Sequence, residues 1–274
     1  MYVQPMPLQQ SELSTLSTPV RRTRVISLNV SLGNYAHLQD WVIEAARHRE
    51  SRSVCFANVH MVVEARRNAA IAQAVNSADW VAPDGVPLLW AMRGLYGLRQ
   101  ERIAGMDAIS SLLQKAAEAG ISAFFYGSTP DVLDEIRRIC AREFPSLQIA
   151  GMVSPPFRPM TPAEETAVID QITASGAGLV FVALGCPKQE LWMARMRGRI
   201  PAVLLGIGGA LPVLAGQQTR APRWMQKIGT EWLFRLMQEP RRLFKRYTVT
   251  NSLYIYYFVR QFLNQQLSYD KVRN

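Results

Sequence analysis

The strongest constraint on the fold is a unit that recurs along the chain: a short unbroken apolar run, a Gly- or Pro-bearing turn, then residues at helical spacing. Leu179 to Arg195 (LVFVALGCPKQELWMAR) carries it most clearly. Leu179 to Leu184 is too short for a helix and rich in β-branched and aromatic residues, the make-up of a strand covered on both faces in a parallel sheet. The run stops at Gly185-Cys186-Pro187. Lys188-Gln189-Glu190 then opens a pattern that puts Leu191, Trp192 and Met196 on one helical face. Such a turn lies at the carboxyl end of the sheet, where open α/β folds place their ligands. Its polar side chains are either a ligand-facing set or the solvated start of a helix, and the spacing leaves both readings open.

The same unit is read elsewhere. Val25 to Val30 (VISLNV) is expected as a first strand, with a helix over Tyr35 to His48. Ser53 to Val59 is a strand feeding a helix over Met61 to Asn68, and Trp80 to Ala82 is a short strand before a helix over Val86 to Leu95. A helix over Met106 to Ala119 follows. Ile121 to Gly127 is a buried strand, and Ser128-Thr129-Pro130-Asp131 caps the helix that runs to Phe144. Leu147 to Val153 is a strand, Ser154 to Thr161 a Pro-rich loop, and Thr161-x-x-Glu164 a capping box. Ala202 to Gly206 is the last strand. The alternation predicts a doubly wound α/β fold, a mostly parallel, Rossmann-like sheet over residues 25–219. Two glycine turns could let a ligand approach the backbone, at Gly127 and at Gly206-Ile207-Gly208-Gly209. Neither completes GxGxxG or GxxxxGK[ST], so no dinucleotide or P-loop assignment follows.

Both ends differ from this core. Residues 1–24 are polar with scattered Pro, Ser and Thr, lack the apolar core of a signal peptide, and are expected to be a disordered lead-in. No apolar run is long enough to span a bilayer. Three cysteines, odd in number and without metal-ligand spacing, fit a reducing compartment and no disulfide framework. The net charge of +10 is concentrated: from Arg220 onward there are eleven Lys/Arg against three Asp/Glu. Residues 220–274 are therefore expected to form a basic helical appendage that needs an anionic partner. Arginines there lie beside Trp, Tyr and Phe, which suits an anionic membrane surface, and helical spacing gathers Leu253, Tyr256, Tyr257 and Arg260. The other reading is a helical hairpin docked on the core with its cations solvated. No nucleic-acid-binding module is recognisable.

Four side chains stand out on residue type and position. Asp84, in Pro83-Asp84-Gly85 between a strand and a helix, is either a turn former or a general base in a desolvated setting. Asn58 ends a strand, as a turn former or as an amide aimed at a ligand. Arg102, near a loop, is a surface arginine or an anion clamp. His60 starts a helix, where a cap or packing role competes with a functional one.

Several stretches taken together, VNSADWVAPDG, ERIAGMD, LGCPKQELWMAR, GIGGALPVLAGQQTRAPRWM and EWLFRLMQEPRRLFKRY, resemble the bacterial WecG/TagA/CpsF glycosyltransferases (family 26) over roughly Val25 to Tyr247. The resemblance implies an inverting transfer from a UDP-sugar donor onto a sugar held on a polyprenyl diphosphate. It implies work at the cytoplasmic face of the plasma or inner membrane, in exopolysaccharide, capsule or teichoic acid synthesis. Matched by motif, Asp84 is the catalytic base, and Asn58, Arg102 and Gln189 are substrate-binding; Gly127 and Gly208, from the two glycine turns, are expected to be substrate-binding too. The small hydroxyl residue usual before the Asn is Ala57 here, and Cys186 replaces a common Ala or Ser and is given no chemistry. Arg235, Arg242 and Lys245, with Arg220, become the candidates for holding the diphosphate or the lipid. The resemblance implies no cofactor and a metal-independent reaction, and this chain has no D-x-D. N-acetylmannosamine, its uronic acid and glucose are all compatible donors, and a homo-oligomer is compatible too. Two competing readings are a non-catalytic peripheral membrane protein that binds lipid-linked sugars and a nucleotide-dependent oxidoreductase on the same sheet.

Overall fold

The structure, a computed structural model, describes residues 20–273. It begins with a hairpin rather than the single strand expected over Val25 to Val30. β1 (Arg22–Val25) and β2 (Leu28–Ser31) are antiparallel, turning at Ile26, whose φ is 57°. The apolar pattern was misleading because the turn is held from afar. The Ile26 N–H donates to Gln261 Oε1 at 2.7 Å, and Ser27 Oγ donates to the Val62 carbonyl at 2.8 Å. Strand β1 also removes residues 22–24 from the expected disordered lead-in; residues 1–19 of that lead-in lie outside the described residues.

Six strands form a parallel sheet: β3 (Arg52–Ala57), β4 (Trp80–Pro83), β5 (Ala123–Gly127), β6 (Ile149–Val153), β7 (Leu179–Ala183) and β8 (Val203–Gly206). The order is β4-β3-β8-β7-β5-β6, so the last strand made lies between the first strand of the sheet and β7. The period-2 alternation of a strand splits the buried residues into two cores. Val54, Phe56, Phe125, Phe181 and Leu205 face α1 (Tyr35–Arg47), α5 (Gly105–Glu118) and α6 (Pro130–Glu143). Cys55, Ala57, Phe124, Tyr126, Val180 and Val182 face the other side. There lie α2 (Val59–Arg67), α3 (Ala69–Asn76), α4 (Val86–Tyr96), α7 (Pro162–Ala174) and α8 (Lys188–Met196). Helix α3 has no counterpart in the sequence reading; Asn68 caps it by accepting from the Ala70 and Ile71 N–H groups. The Thr161–Glu164 capping box is present.

Beyond α9 (Ala210–Leu214), the basic C-terminal segment forms α10 (Arg223–Lys227), α11 (Glu231–Gln238) and one long helix, α12 (Pro240–Arg273), not a hairpin. Helix α12 lies on α2 and α4. Tyr254 is buried and donates to the Pro87 carbonyl at 2.8 Å, and Arg66 stacks over the ring of Tyr257. Leu253 and Tyr257 thus face the core while Tyr256 and Arg260 are exposed, which divides the cluster expected from helical spacing.

Candidate active site

Four neighbouring strands, β4, β3, β8 and β7, end at one edge of the sheet, and each delivers one of the expected residues just past its last position. Asp84 follows β4, Asn58 follows β3, Gly208 follows β8, and Gln189 follows the turn after β7. The chain leaves β3 and β7 towards α2 and α8 on one face but leaves β8 towards α9 on the other. Connections that diverge in this way open a crevice at the strand ends.

The β4 side of the crevice is charged. The Asp84 and Gly85 N–H groups both donate to the Ala57 carbonyl, which fastens the Pro83-Asp84-Gly85 turn to β3. The Ile103 N–H donates to the Pro83 carbonyl at 2.9 Å and sets Arg102 beside that turn. Arg102 Nε donates to the Asp84 carbonyl at 2.5 Å, and its Nη2 donates to Asp84 Oδ1 at 3.1 Å and to Glu231 Oε2 at 2.9 Å. The three side chains are between 19% and 25% exposed, so they are screened from water without being sealed off. Burial raises the Asp84 carboxyl above its ordinary range, the Arg102 charge opposes that rise, Glu231 adds to it, and Arg235 opposes it.

The C-terminal segment completes this wall. Gly229 has φ 73°, and a Cβ there would stand 3.0 Å from Val86 Cβ at the start of α4. A glycine therefore lets the chain cross the mouth of the β4 turn and enter α11 over the site. Glu231 and Arg235 are one helical turn apart on α11 and share a face. The first reaches Arg102; the second sets both terminal guanidinium nitrogens over Gly209, 3.9 Å from where a Cβ would be.

The β7–β8 side is buried where α8 begins, and among the described residues no cation bears on Glu190. Gln189 is 4% exposed and Glu190 1%. Gln189 Nε2 donates to the Gly206 carbonyl at 2.9 Å and to Glu190 Oε1 at 2.8 Å. Gln189 Oε1 and Glu190 Oε2 have no hydrogen-bond partner among the described residues. A Cβ on Gly208, whose φ is 45°, would sit 3.1 Å from Gln189 Oε1. Burial raises the Glu190 carboxyl above its ordinary range, and burial together with Glu190 holds the Cys186 thiol far above its own. Both effects favour the neutral thiol over the thiolate.

The other expected residues divide. Asn58 is exposed, and its Oδ1 caps α2 by accepting from the Met61 N–H at 3.1 Å. Gly127, at φ 113°, has a backbone reason to be glycine, since a Cβ would lie 2.5 Å from the Ala183 carbonyl. Arg220 pairs with Asp107 in the first turn of α5 at 2.6 Å. Arg242 pairs with Glu239 on its own helical stretch, and Lys245 is exposed, so neither touches the Asp84 cluster. His60 lies in the first turn of α2, 4.0 Å from Glu64, its pKa lowered chiefly by burial. Glu231 and the pairing of Glu190 with Gln189 were missed in the sequence; the one available sign of the former was its i, i+4 spacing to Arg235. Among the described residues, no three His, Cys, Asp or Glu are grouped to hold a metal ion, and no helix is long and apolar enough to cross a membrane.

A family model described as "Glycosyl transferase WecG/TagA/CpsF family" matches residues 23–268. A relative from Bacillus spizizenii, named "N-acetylglucosaminyldiphosphoundecaprenol N-acetyl-beta-D-mannosaminyltransferase", is 35% identical over 187 residues, covering 68% of this chain and 71% of the relative.

Proposed function

The chain belongs to the WecG/TagA/CpsF family of glycosyltransferases, and from that premise we propose that it transfers a sugar from a UDP-sugar to a sugar carried on a polyprenyl diphosphate. The observation that carries this reading is the pairing of Asp84 with Arg102 at the end of β4, with Arg235 over the β8 turn. In the proposed reaction, Asp84 takes the proton of an acceptor hydroxyl through the oxygen not held by Arg102. The hydroxyl oxygen bonds to the anomeric carbon as the bond from that carbon to the UDP oxygen breaks, and the electron pair leaves with UDP. Attack opposite the leaving group inverts the anomeric centre. A raised pKa makes Asp84 the stronger base, while Arg102 keeps it ionised for the task. Charge growing on the leaving diphosphate is met by Arg235, a planar donor in a half-buried position. In this reading arginine, rather than a metal ion, neutralises the leaving group. Arg220, Arg242 and Lys245 then serve the lipid diphosphate or the membrane instead of the Asp84 cluster.

The same reading puts the protein on an anionic membrane surface at the cytoplasmic side. Trp90 on α4 and Trp224, Ile228, Met237 and Phe244 in the basic C-terminal segment are each more than half exposed. Apolar side chains among basic ones are the composition of an interfacial segment. The mannosaminyl relative makes UDP-N-acetylmannosamine the first donor to try, with its uronic acid and UDP-glucose beside it.

The test is UDP release by the purified protein. A panel of UDP-sugars is offered with polyprenyl-diphosphate-linked N-acetylglucosamine in liposomes, with and without chelator. Acceptor-dependent release from one donor, unchanged by chelator, is expected. Release that chelator abolishes would overturn the arginine-based mechanism. Donor and acceptor binding with no release from any pair would leave the non-catalytic reading standing.

A further inference from the structure

Gln189 has a feature that its place in the site does not require. An amide side chain can give two hydrogen bonds and accept two, and a ligand-binding glutamine is ordinarily free to turn either end outward. Here both N–H groups are spent inside the protein, one on the Gly206 carbonyl at 2.9 Å and one on Glu190 Oε1 at 2.8 Å. Turning the amide over would set its oxygen against the Gly206 carbonyl and take its N–H groups away from that acceptor. Burial of both residues, 4% and 1% exposed, prevents water from filling that gap. The oxygen is left without a partner beside Gly208, the glycine that lets the β8 turn pass close to it.

We propose that Glu190 is a positioning residue that fixes the amide of Gln189, so that Gln189 meets the sugar nucleotide only as an acceptor and reads an N–H or O–H of that ligand. The inference rests on the proposed use of a UDP-sugar and adds to it the polarity of one contact. Ligands that can supply such a donor at the crevice are the uracil imide, a sugar hydroxyl or an acetamido N–H. A group that can only accept, such as a carbonyl or a phosphate oxygen, is repelled there. Glu190 needs only an acceptor oxygen for this role, not a charge, so Glu190→Gln keeps the lock and Glu190→Met, of similar bulk, removes it.

Two measurements decide it. The first reads the lock without turnover, by hydrogen exchange of the Gln189 side-chain amide in the 15N-labelled protein, identified by its loss in Gln189→Met. Slow exchange that Glu190→Met speeds at least tenfold supports the proposal; exchange as fast as an exposed glutamine overturns it. The second is donor kinetics, with melting temperature as the control for folding. Glu190→Met is expected to lower kcat/KM for the donor about tenfold, mainly through KM, the size of one lost hydrogen bond. Glu190→Gln is expected to stay within about threefold of the native enzyme. Equal kcat/KM in all three proteins overturns the positioning role. N3-methyl-UDP, set against UDP in a binding assay, separates the uracil imide from the sugar groups: weaker binding that Gln189→Met removes names the base, and unchanged binding names the sugar. A protein that turns over no UDP-sugar fails the functional reading, while the amide exchange still decides the lock.

Discussion

Two carboxyl groups sit past strand ends at the same edge of one sheet and are treated in opposite ways. Asp84 is half-open to the crevice and faces Arg102, with Arg235 close enough to bear on its charge. Glu190 is sealed in, has no cation, and shares one oxygen with the amide of Gln189. Burial raises both. Of the two, only Asp84 has neighbouring positive charges opposing that rise, and only Asp84 is open to the crevice. The difference teaches that desolvation alone does not mark a catalytic acid or base; the partner and the opening decide.

The largest test of that contrast is Asp84→Asn. It is expected to lower kcat by about 10³ with the donor still bound, whereas Glu190→Gln leaves kcat close to native, as steady-state UDP release would show. A smaller loss, about 10² in kcat, is expected of Arg235→Met, since one donor to the leaving group is removed; an effect on donor KM alone would put Arg235 in binding rather than in chemistry. Next is the pH dependence. Glu231 raises the Asp84 pKa, so Glu231→Gln lowers it, and the acid limb of kcat/KM moves to lower pH. A limb that moves to higher pH would mean that losing Glu231 frees Arg102 to leave Asp84. The smallest effect is on stability. The folded protein keeps a proton on Glu190 at pH values where the unfolded chain has released it, so stability falls as pH rises above the ordinary glutamate range. Glu190→Gln removes that cost, and its melting temperature is expected to exceed the native one by about 2 °C at neutral pH and by nothing at pH 4. A calorimetric series over pH checks this.

Much of the fold was legible because its elements signal locally. A strand buried on both faces reads as an apolar run, and the Thr161–Glu164 box is a helix start on its own. The failures came where distant residues decide. Ile26 reads as a strand residue, and the distant residues Gln261 and Val62 hold its turn. Asp84 and Gln189 were legible as candidates because each belongs to a strand–turn–helix unit, and Arg102 because it lies in a loop ahead of a helix. Their grouping with Glu231 was not, since Glu231 arrives from a helix 129 residues beyond Arg102, guided by the Gly229 crossing. Arg242 and Lys245 match the motif near Arg235 along the chain; in the structure Arg242 pairs with Glu239 and Lys245 is exposed.

The strand order has a consequence for assembly. Because β8 pairs with β3 on one side and β7 on the other, no described strand made before it hydrogen-bonds the two halves of the sheet together. A growing chain therefore holds two open edges, on β3 and β7, until Val203–Gly206 emerges to fill the gap. Such edges pair readily with other chains. Products truncated before β8 should form aggregates rather than a smaller enzyme, and the crevice, whose middle is the β3–β8 seam, is among the last parts of the molecule to come into being.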